Sequence, residues 1–491
     1  MATIGGRFEE MEITVKGSSL VRPAKETPKE SHWVSNLDMV ATPYYVPLVY
    51  FYKPNGSSDF FKGQVLKEAL SKTLVPFYPM AGRLGSDENG RFEIICNAEG
   101  VLWVEAETTC AVDDLGNFAP SLKLRQLVPT VDYSKDTFSH PLFMAQDNMN
   151  CSEERKKQRK KVEGSCCEEE QVTSFISKRM VTAFKCGAVS LGIGIHHTLV
   201  DGTAFLHFFN SWSEIARGLP LIRVAPLIDR TLLRARVPPT PRFHHAEYDP
   251  PPPLNTSMSI FNSHPKPKPS SVSVFKITLN QLNTLKAMSF KNENSTKYST
   301  YTILAAHIWR CACKARGLLD DQPTKLYVPT NGRPRLHPPL PSAYLSNVTF
   351  MASSISVSGN LQSEPFMNTI ERIHGTLKRV DNEYLRSALD YLEKLPDVTT
   401  ARREAHTAQC PNLSIINWMR LPVHDANFGW GRPIYMGPAN VVHEGKIYLP
   451  PSPTDDGSLS LVACLETSHM KPFQKHLYEG LMSFDKIRAR Y

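Results

Sequence analysis

The stretch that decides the fold runs His196-His197-Thr198-Leu199-Val200-Asp201-Gly202. Just upstream, residues 191–195 are apolar and rich in Gly and Ile, which predicts a buried strand that a ligand or another backbone can approach closely. Downstream, Thr203–Arg217 carries aromatic and aliphatic residues at helical spacing, followed by a Gly-Leu-Pro stop. The pattern predicts a histidine at a strand-to-helix junction, able to exchange a proton near neutral pH. The alternative is a histidine satisfied within a core.

The composition is typical of a globular protein. Of the 491 residues, 41% are hydrophobic and 21% are charged, and a chain of this length predicts two or three domains. No apolar stretch is long enough for a membrane span, and the first ten residues lack a secretory or transit pattern. Ten cysteines without metal-ligand spacing favour a reduced cytoplasmic protein that holds no metal.

The positive charge is concentrated in one block. The net charge is +8, and residues 155–161 read Arg-Lys-Lys-Gln-Arg-Lys-Lys, which is typical of a nucleic-acid patch. Glutamates on both sides nearly neutralise this block, and no aromatic residues alternate with it for base stacking. We therefore expect no nucleic-acid partner.

Further periodic segments alternate between strand and helix in both halves of the chain. The expected strands are Tyr45–Tyr52 and Arg91–Cys96, and the expected helices are Phe60–Leu74, Leu279–Ser289 and Thr300–Arg316. Residues 219–272 are punctuated by proline and predict an extended crossover with little packed secondary structure. The fold class is therefore α/β, with two domains and an active site between them.

A charged segment without periodicity, residues 147–180, interrupts the first half. We expect it to be a disordered insertion at the surface, either a natural loop or a gene-model artefact. A lid over the active site is a further alternative. After it, residues 181–185 and 188–195 predict the two strands of a hairpin that ends on the histidine pair.

A second motif lies near the C-terminus. Asn427-Phe428-Gly429-Trp430-Gly431 predicts a sharply turned loop, with a structural role by its own chemistry. Together with His197-x-x-x-Asp201-Gly202, it resembles the paired signature of the plant BAHD acyl-CoA-dependent acyltransferases, whose loop usually begins with Asp where this chain has Asn427. Nearly the whole chain outside 147–180 resembles the hydroxycinnamoyl-CoA:shikimate/quinate branch of that family.

The resemblance implies two chloramphenicol-acetyltransferase-like domains, residues 1–218 and 273–491, joined by the crossover 219–272, with the active-site channel between them. It implies acyl-CoA and a small hydroxylated acceptor as partners, no cofactor, and a monomer. His197 would take the acceptor proton, and the indole N–H of Trp418 would stabilise the oxyanion, although a plain core aromatic is the alternative for Trp418. Asn427 is grouped with these catalytic residues, while structural support is assigned to Asp201, through a salt bridge, and to Gly202, Gly429 and Trp430.

The resemblance also implies binding residues. Arg403 corresponds to an arginine that grips an acceptor carboxylate, for which a guanidinium is well suited, while Arg402 beside it is expected to be solvated. The other acceptor positions are Val46, Leu48, Tyr50, Ile415, Ile416 and Asn417. Three of them are aliphatic where relatives carry hydroxyls, which leaves fewer hydrogen bonds to discriminate acceptors. The CoA and acyl positions are Ser273, Val274, Phe275, Lys276, Tyr298, Ser299, Thr300, Tyr301 and Thr302.

Three alternatives to this function remain at this point. A hydrolase would use His197 to activate water, but no Gly-x-Ser-x-Gly nucleophile motif is present. An acyltransferase of the same family could take a more hydrophobic alcohol or an amine as its acceptor. A catalytically weak ligand-binding relative is the third alternative, because Asn427 departs from the family pattern.

Overall fold

The computed structural model describes residues 11–108, 110–131, 137–149, 187–220, 222–255, 268–289, 297–402, 405–452, 454 and 456–488. Within these residues, two six-stranded sheets and one three-stranded sheet form the framework. The first sheet has, in spatial order, β1 (Ile13–Val21), β6 (Val101–Thr108), β7 (Phe143–Met149), β8 (Val189–His196), β3 (Tyr45–Tyr52) and β13 (Tyr435–Pro438). The second has β11 (Thr349–Val357), β10 (Pro323–Asn331), β12 (Leu413–Asn417), β14 (Lys446–Leu449), β15 (Leu459–Glu466) and β9 (Ser270–Ile277). The third has β2 (Ser31–Trp33), β5 (Phe92–Ile95) and β4 (Arg83–Ser86).

Helices pack against both large sheets. They are α1 (Asn36–Met39), α2 (Gly63–Thr73), α3 (Leu122–Gln126), α4 (Gly202–Ala216), α5 (Leu279–Ala287), α6 (Thr300–Ala315), α7 (Ser358–Ser363), α8 (Phe366–Arg379), α9 (Asn382–Lys394), α10 (Ala405–Ala408) and α11 (Thr467–Arg488). The predicted strand Tyr45–Tyr52 is confirmed without change as β3, and the predicted helices appear as α2, α4, α5 and α6 within one to three residues at each end. The α/β fold class is thus confirmed.

The strand before the histidine pair is buried on both faces. β8 pairs antiparallel with β7 on one side and with β3 on the other. A side chain at Gly192 would collide with the backbone carbonyl of Leu127, which confirms the expected close approach of another backbone. Both edges of β8 pair with strands from earlier in the chain, β3 and β7. The first strand predicted for the hairpin, residues 181–185, lies outside the described residues.

The boundary of the predicted insertion also changes. Residues 147–149 belong to β7, where they pair with β6 and β8, so they are part of the sheet. Residues 150–180 lie outside the described residues.

One strand from the C-terminal half of the chain lies in the sheet of the N-terminal half. β13 comes from the C-terminal half but pairs antiparallel with β3 at the edge of the first sheet. Val423, Phe428 and Trp430 are buried in the hydrophobic core of the N-terminal half. Part of the segment 423–438 therefore packs with the N-terminal half, and the domain limits 1–218 and 273–491 stay predictions.

The crossover 219–272 is packed more tightly than its proline content predicts. It forms a 3-10 turn at Arg230–Leu233 with Arg230 buried, and β9 already begins at Ser270. His245 is fully buried and contacts Ser387 of α9 at 2.9 Å. The described part of the crossover thus contacts both halves, through Arg230 to Asp38 of the N-terminal half and through His245 to Ser387 of the C-terminal half. Residues 256–267 lie outside the described residues.

Asp147 is an unfavourable residue at its position in β7. Its side chain is buried, and neither carboxylate oxygen has a hydrogen-bond partner among the described residues. Burial raises the pKa of Asp147 well above its usual value, and the nearby Glu105 carboxylate adds to the rise while Lys67 opposes it. The folded chain therefore holds this proton where the unfolded chain releases it.

We expect Asp147→Val to raise the free energy of unfolding by about 1–3 kcal/mol at pH 7, since it removes an unpartnered buried polar group. Because the pKa of Asp147 is raised in the folded state, its ionisation destabilises the fold. This loss of stability is absent below the carboxyl pKa of the unfolded chain and grows as the pH rises above it. Urea unfolding at pH 7 and at pH 4.5 measures this, with Glu88→Val on an exposed turn as the control. A destabilised variant at pH 7 would show that Asp147 has a compensating partner.

Candidate active site

The histidine pair lies at the junction that the sequence predicts. β8 ends at His196, and α4 begins at Gly202. The backbone N–H of His197 donates to the carbonyl oxygen of Tyr44 at 3.2 Å, just before β3. The side chain of His197 is half-buried. This residue is therefore held by the backbone of the N-terminal half and keeps exposed surface.

His196 has a different environment. It is only 3% exposed, and its ring lies edge-on to the ring of Tyr45 with centroids 5.2 Å apart. Burial, with smaller effects from His197 and His140, lowers the pKa of His196 to about 4. A neutral, enclosed imidazole is a poor candidate for contact with a substrate, so the two histidines are distinguished by burial.

Asp201 is bound on all sides by structural partners. Arg333 of the C-terminal half forms a two-pronged ion pair with it, Nη1–Oδ2 2.7 Å and Nη2–Oδ1 3.0 Å, and both side chains are almost fully buried. The same carboxylate accepts the N–H of Ala204 at 3.0 Å and so caps α4. Burial alone would raise the pKa of Asp201, but Arg333 and the backbone hydrogen bonds outweigh it and lower the pKa. The predicted salt bridge of Asp201 is present.

Trp418 lies in the turn after β12. Its ring is half-buried, packs against the N-terminal core and meets the ring of Tyr448 edge-on at 5.2 Å. Its backbone N–H donates to the carbonyl of Leu449 at 3.1 Å. Trp418 thus belongs to the interface between the halves, and not to the interior of the C-terminal core.

A second contact joins the halves beside His197. The hydroxyl of Tyr44, whose carbonyl binds the His197 backbone, shares a 2.5 Å hydrogen bond with Nε2 of His443. Burial, assisted by Lys446, lowers the pKa of His443 to about 4, so this imidazole is neutral near pH 7. Tyr44 therefore connects the backbone of His197 to the C-terminal half.

Asn427 stabilises its own loop. Its side-chain oxygen accepts the N–H of Gly429 at 2.9 Å and of Gly431 at 3.1 Å. Both glycines have positive φ angles, 106° and 112°, which side-chain-bearing residues rarely adopt. These bonds show that Asn427 stabilises the turn, while the catalytic role assigned to it stays a prediction. An amide oxygen can accept both bonds, so loss of the family's charge leaves the turn intact.

The same loop is anchored to the N-terminal half through Trp430. Its ring lies 5.0 Å from the ring of Phe61, and its indole N–H donates to Asp59 at 3.3 Å. The loop therefore holds this C-terminal segment against the first domain, as a supporting element would.

The predicted acceptor positions divide by burial. Val46, Leu48 and Tyr50 share one face of β3, and exposure falls along it from half-buried Val46 to fully buried Tyr50. Tyr50 stacks on Phe209 in the core, with centroids 4.5 Å apart, and its hydroxyl has no hydrogen-bond partner among the described residues. Leu48 also belongs to this core, and its role in acceptor binding stays a prediction.

In the second sheet, the predicted acceptor positions are Ile415, Ile416 and Asn417 of β12. Ile415 is fully buried in the core of the C-terminal half, and its role in acceptor binding stays a prediction. Ile416 is half-buried and Asn417 exposed, so these two keep accessible surface. Arg403 lies outside the described residues. Arg402 is not simply solvated, because its Nε donates to the carbonyl of Met39 at 3.0 Å.

The predicted CoA positions fall on two elements of the second domain. Ser273, Val274, Phe275 and Lys276 lie on β9, which is an edge strand, and Lys276 forms an ion pair with Asp456 at 2.8 Å. Tyr298, Ser299, Thr300, Tyr301 and Thr302 form the start of α6. The hydroxyl of Ser299 accepts the N–H of Thr302 and caps this helix, while Tyr301 donates to the carbonyl of Ile415 within the core.

The sequence patterns miss Arg333, Asn347, Tyr44 and His443. Arg333 binds Asp201 across 132 positions of the chain, and Asn347 donates to the carbonyl of His197 across 150. Their neighbours in sequence carry no periodicity or motif that points to the histidine turn.

Comparison with known proteins now identifies the family. The model of the Transferase family matches residues 11–151 and 168–480. The chain belongs to this family, the BAHD acyltransferases. It is an acyl-CoA-dependent acyltransferase. The matched residues omit 152–167, which lie within the predicted insertion.

Curated relatives match over almost the full length of this acyltransferase. It is 50% identical over 469 residues to the shikimate O-hydroxycinnamoyltransferase of Nicotiana tabacum, covering 96% of this chain and 100% of the relative. It is 45% identical to a hydroxycinnamoyl-CoA:5-hydroxyanthranilate N-hydroxycinnamoyltransferase of Avena sativa, covering 95% and 99%. The rosmarinate synthase of Plectranthus scutellarioides is 42% identical, covering 96% and 100%.

Solved structures agree on the fold. Vinorine synthase superimposes with a TM-score of 0.68 at 20% identity, covering 95% of this chain and 98% of that one. TRI101 of F. sporotrichioides does so with a TM-score of 0.67 at 17% identity, covering 91% and 97%. The two-domain acyltransferase fold that the resemblance implies is confirmed. Among the described residues, no helix combines the length and apolar character needed to cross a membrane.

Proposed function

We propose that this acyltransferase moves a hydroxycinnamoyl group from CoA to a hydroxyl of a small, carboxylate-bearing acceptor such as shikimate or quinate. The observation that carries the proposal is the 50% identity, over 96% of this chain, to a shikimate O-hydroxycinnamoyltransferase. The half-buried His197 at the interface between the halves supports the same conclusion, because it offers a base where two substrates can meet.

The proposed mechanism uses His197 as a general base and then as a general acid. Its imidazole takes the proton from the acceptor hydroxyl while the oxygen attacks the thioester carbonyl. The tetrahedral intermediate collapses, the carbon–sulfur bond breaks, and the imidazolium returns the proton to the departing thiolate. The products are the ester and free CoA, and no covalent enzyme intermediate is needed.

The oxyanion of that intermediate needs a hydrogen-bond donor. We assign this role to the indole N–H of Trp418, since an indole donates and never accepts. The support is its position after β12 at the interface between the halves, and its half-buried ring. The main alternative for Trp418, a plain core aromatic, is weakened by the same exposure.

The acceptor is the finer part of the proposal. Shikimate, quinate and 5-hydroxyanthranilate all carry a carboxylate, which Arg403 can bind through two parallel hydrogen bonds. An amine acceptor of the hydroxyanthranilate type is the second candidate, because relatives 45% and 43% identical are named for it. The half-buried aliphatic side chains of Val46 and Ile416 suit a flat aromatic acceptor as well as a cyclohexene. The monomeric state, the cytoplasmic location and the CoA residues stay predictions from the sequence.

The experiment is a competition among acceptors. The protein is incubated with p-coumaroyl-CoA and equimolar shikimate, quinate, 4-hydroxyphenyllactate and 5-hydroxyanthranilate, and ester, amide, free acid and free thiol are quantified by chromatography. Dominant shikimate or quinate ester supports the proposal. If the amide dominates, the second candidate, an amine acceptor, is the better assignment. If thiol is released and only free acid is formed, the protein is a hydrolase.

We expect Arg403→Ala to raise the KM for shikimate about 10- to 100-fold, since a charge-assisted pair is worth about 1.5–3 kcal/mol. The KM for a neutral alcohol acceptor should change little in the same variant. The matched control is Arg402→Ala, which removes a contact to the Met39 carbonyl and should affect all acceptors alike. Equal losses for acidic and neutral acceptors in Arg403→Ala would mean that Arg403 serves the fold.

A further inference from the structure

A buried carboxylate outside both signature motifs joins three parts of the chain. Asp38 of α1 is fully buried, and its carboxylate accepts an ion-paired bond from Arg230 of the crossover at 2.9 Å. Ser35 donates to it through its backbone N–H and its hydroxyl, at 2.9 and 2.7 Å. Ser346 and Asn347 of the C-terminal half complete its shell. We call these five residues the Asp38 hub.

The hub reaches the histidine turn through two donors. The amide nitrogen of Asn347 donates to Oδ1 of Asp38 and to the carbonyl oxygen of His197, both at 2.8 Å. Arg230 donates to the carbonyl of Leu199 at 2.5 Å, two residues further along the same turn. The turn is thus held at its backbone by the hub and at Asp201 by Arg333.

The chemistry of these bonds requires an amide at position 347. Both partners of the Asn347 nitrogen are acceptors, so the NH₂ group must face them, and the backbone N–H of Asn347 donates to Asp38 as well, at 2.9 Å. An aspartate of the same shape would place an oxygen against a carboxylate and a carbonyl. A side chain of the same shape but without the NH₂ group therefore cannot replace Asn347.

We infer that Asn347 is a positioning residue for His197, acting through the carbonyl of that residue and anchored by Asp38. This inference rests on the proposed role of His197 as the base. The backbone carbonyl and the imidazole share one Cα atom, so release of the carbonyl lets the imidazole shift relative to the substrates. Misplacement of a catalytic group by about 1 Å can cost about 100-fold in rate.

The test compares Asn347→Ala with Ser346→Ala. Ser346 also donates to Asp38, at 3.1 Å, but makes no hydrogen bond to His197. We expect Asn347→Ala to lower kcat about 10- to 100-fold with KM for both substrates within about threefold, and Ser346→Ala to lose clearly less. Asn347→Asp should not restore the rate. If the alanine variant does not fold, Asn347→Ser, which keeps one donor, takes its place with a smaller loss expected.

Three further measurements separate positioning from general damage. Melting temperature reports stability, calorimetric titration of product CoA reports the intact cleft, and the pH profile of kcat/KM reports the base. A positioning role predicts unchanged CoA affinity and a shifted apparent pKa in that profile, which a merely structural loss would not produce.

Two outcomes would overturn the inference. Equal kcat losses in Asn347→Ala and Ser346→Ala, or a loss that follows melting temperature with raised KM, would mean that the hub serves stability alone. His197→Ala is included as a separate arm: if that variant keeps its activity, the proposed mechanism itself fails. An inactive His197→Ala with equal Asn347 and Ser346 losses would overturn only the positioning role.

Discussion

We expect His197→Ala to lower kcat by about 10²–10⁴-fold with p-coumaroyl-CoA and shikimate, the range typical for loss of a general base. The effect falls on kcat because the imidazole moves a proton in the transition state and contributes little to ground-state binding. The side chain is half-buried at the end of β8, so its truncation leaves no large cavity and the melting temperature should change little. Thiol release in the steady state measures the rate, and chromatography confirms the ester.

The adjacent histidine is the matched control. His196 is enclosed beside Tyr45, and burial keeps its pKa near 4, so His196→Ala should lower stability while leaving most of the turnover in the folded fraction. Turnover that survives in His197→Ala but disappears in folded His196→Ala would reverse the assignment. If both variants lose turnover equally and their melting temperatures fall equally, the two histidines serve the stability of the fold.

The elements that carry the histidine turn are predictable because their signals are local. The aromatic and β-branched run of β3 and the apolar spacing of α4 depend only on near neighbours. Asp201 precedes α4 and accepts the N–H of Ala204, as an N-cap does. Local rules therefore place the histidine at a strand-to-helix junction before any tertiary contact is known.

The partners of that turn are not predictable in the same way. Arg333 follows β10, and Asn347 precedes β11, and neither position differs in pattern from an ordinary loop residue. Each meets the turn only because the two halves pack together. Periodicity describes which face of an element is apolar, and it carries no information about which distant loop lies against it.

The burial of two predicted acceptor positions shows a second feature that the sequence does not give, namely which side chains face solvent. Resemblance to relatives assigns Leu48 and Ile415 to a site, but each side chain lies within a hydrophobic core. The pairing of β13 with β3 in the first sheet could not be predicted either, because the sequence of a four-residue strand does not indicate which strand it pairs with. Domain limits drawn from proline content miss it for that reason.

We expect Arg333→Met to destabilise the protein by about 3–5 kcal/mol, since removal of one partner from a buried ion pair leaves an uncompensated charge. Both side chains are at most 3% exposed, and the bond is two-pronged. Because the net effect of the folded environment is to lower the pKa of Asp201, the ion pair contributes fully above the ordinary carboxyl pKa, near about 4, and is lost as the pH falls through the folded value. The destabilisation of Arg333→Met should therefore shrink at acidic pH, where Asp201 can be protonated.

Urea unfolding of Arg333→Met, Asp201→Asn and the double variant between about pH 3 and pH 8 measures this dependence. The control is Arg432→Met, because Arg432 forms an exposed ion pair of 3.5 Å with Asp425. Exposed pairs contribute about 0–1 kcal/mol, so the control should change little. The double variant should lose less than the sum of the two single losses, because it leaves no buried charge unpaired. Additive losses, or a loss in Arg333→Met no larger than in the control, would mean that the histidine turn is held by the Asp38 hub and the α4 cap alone.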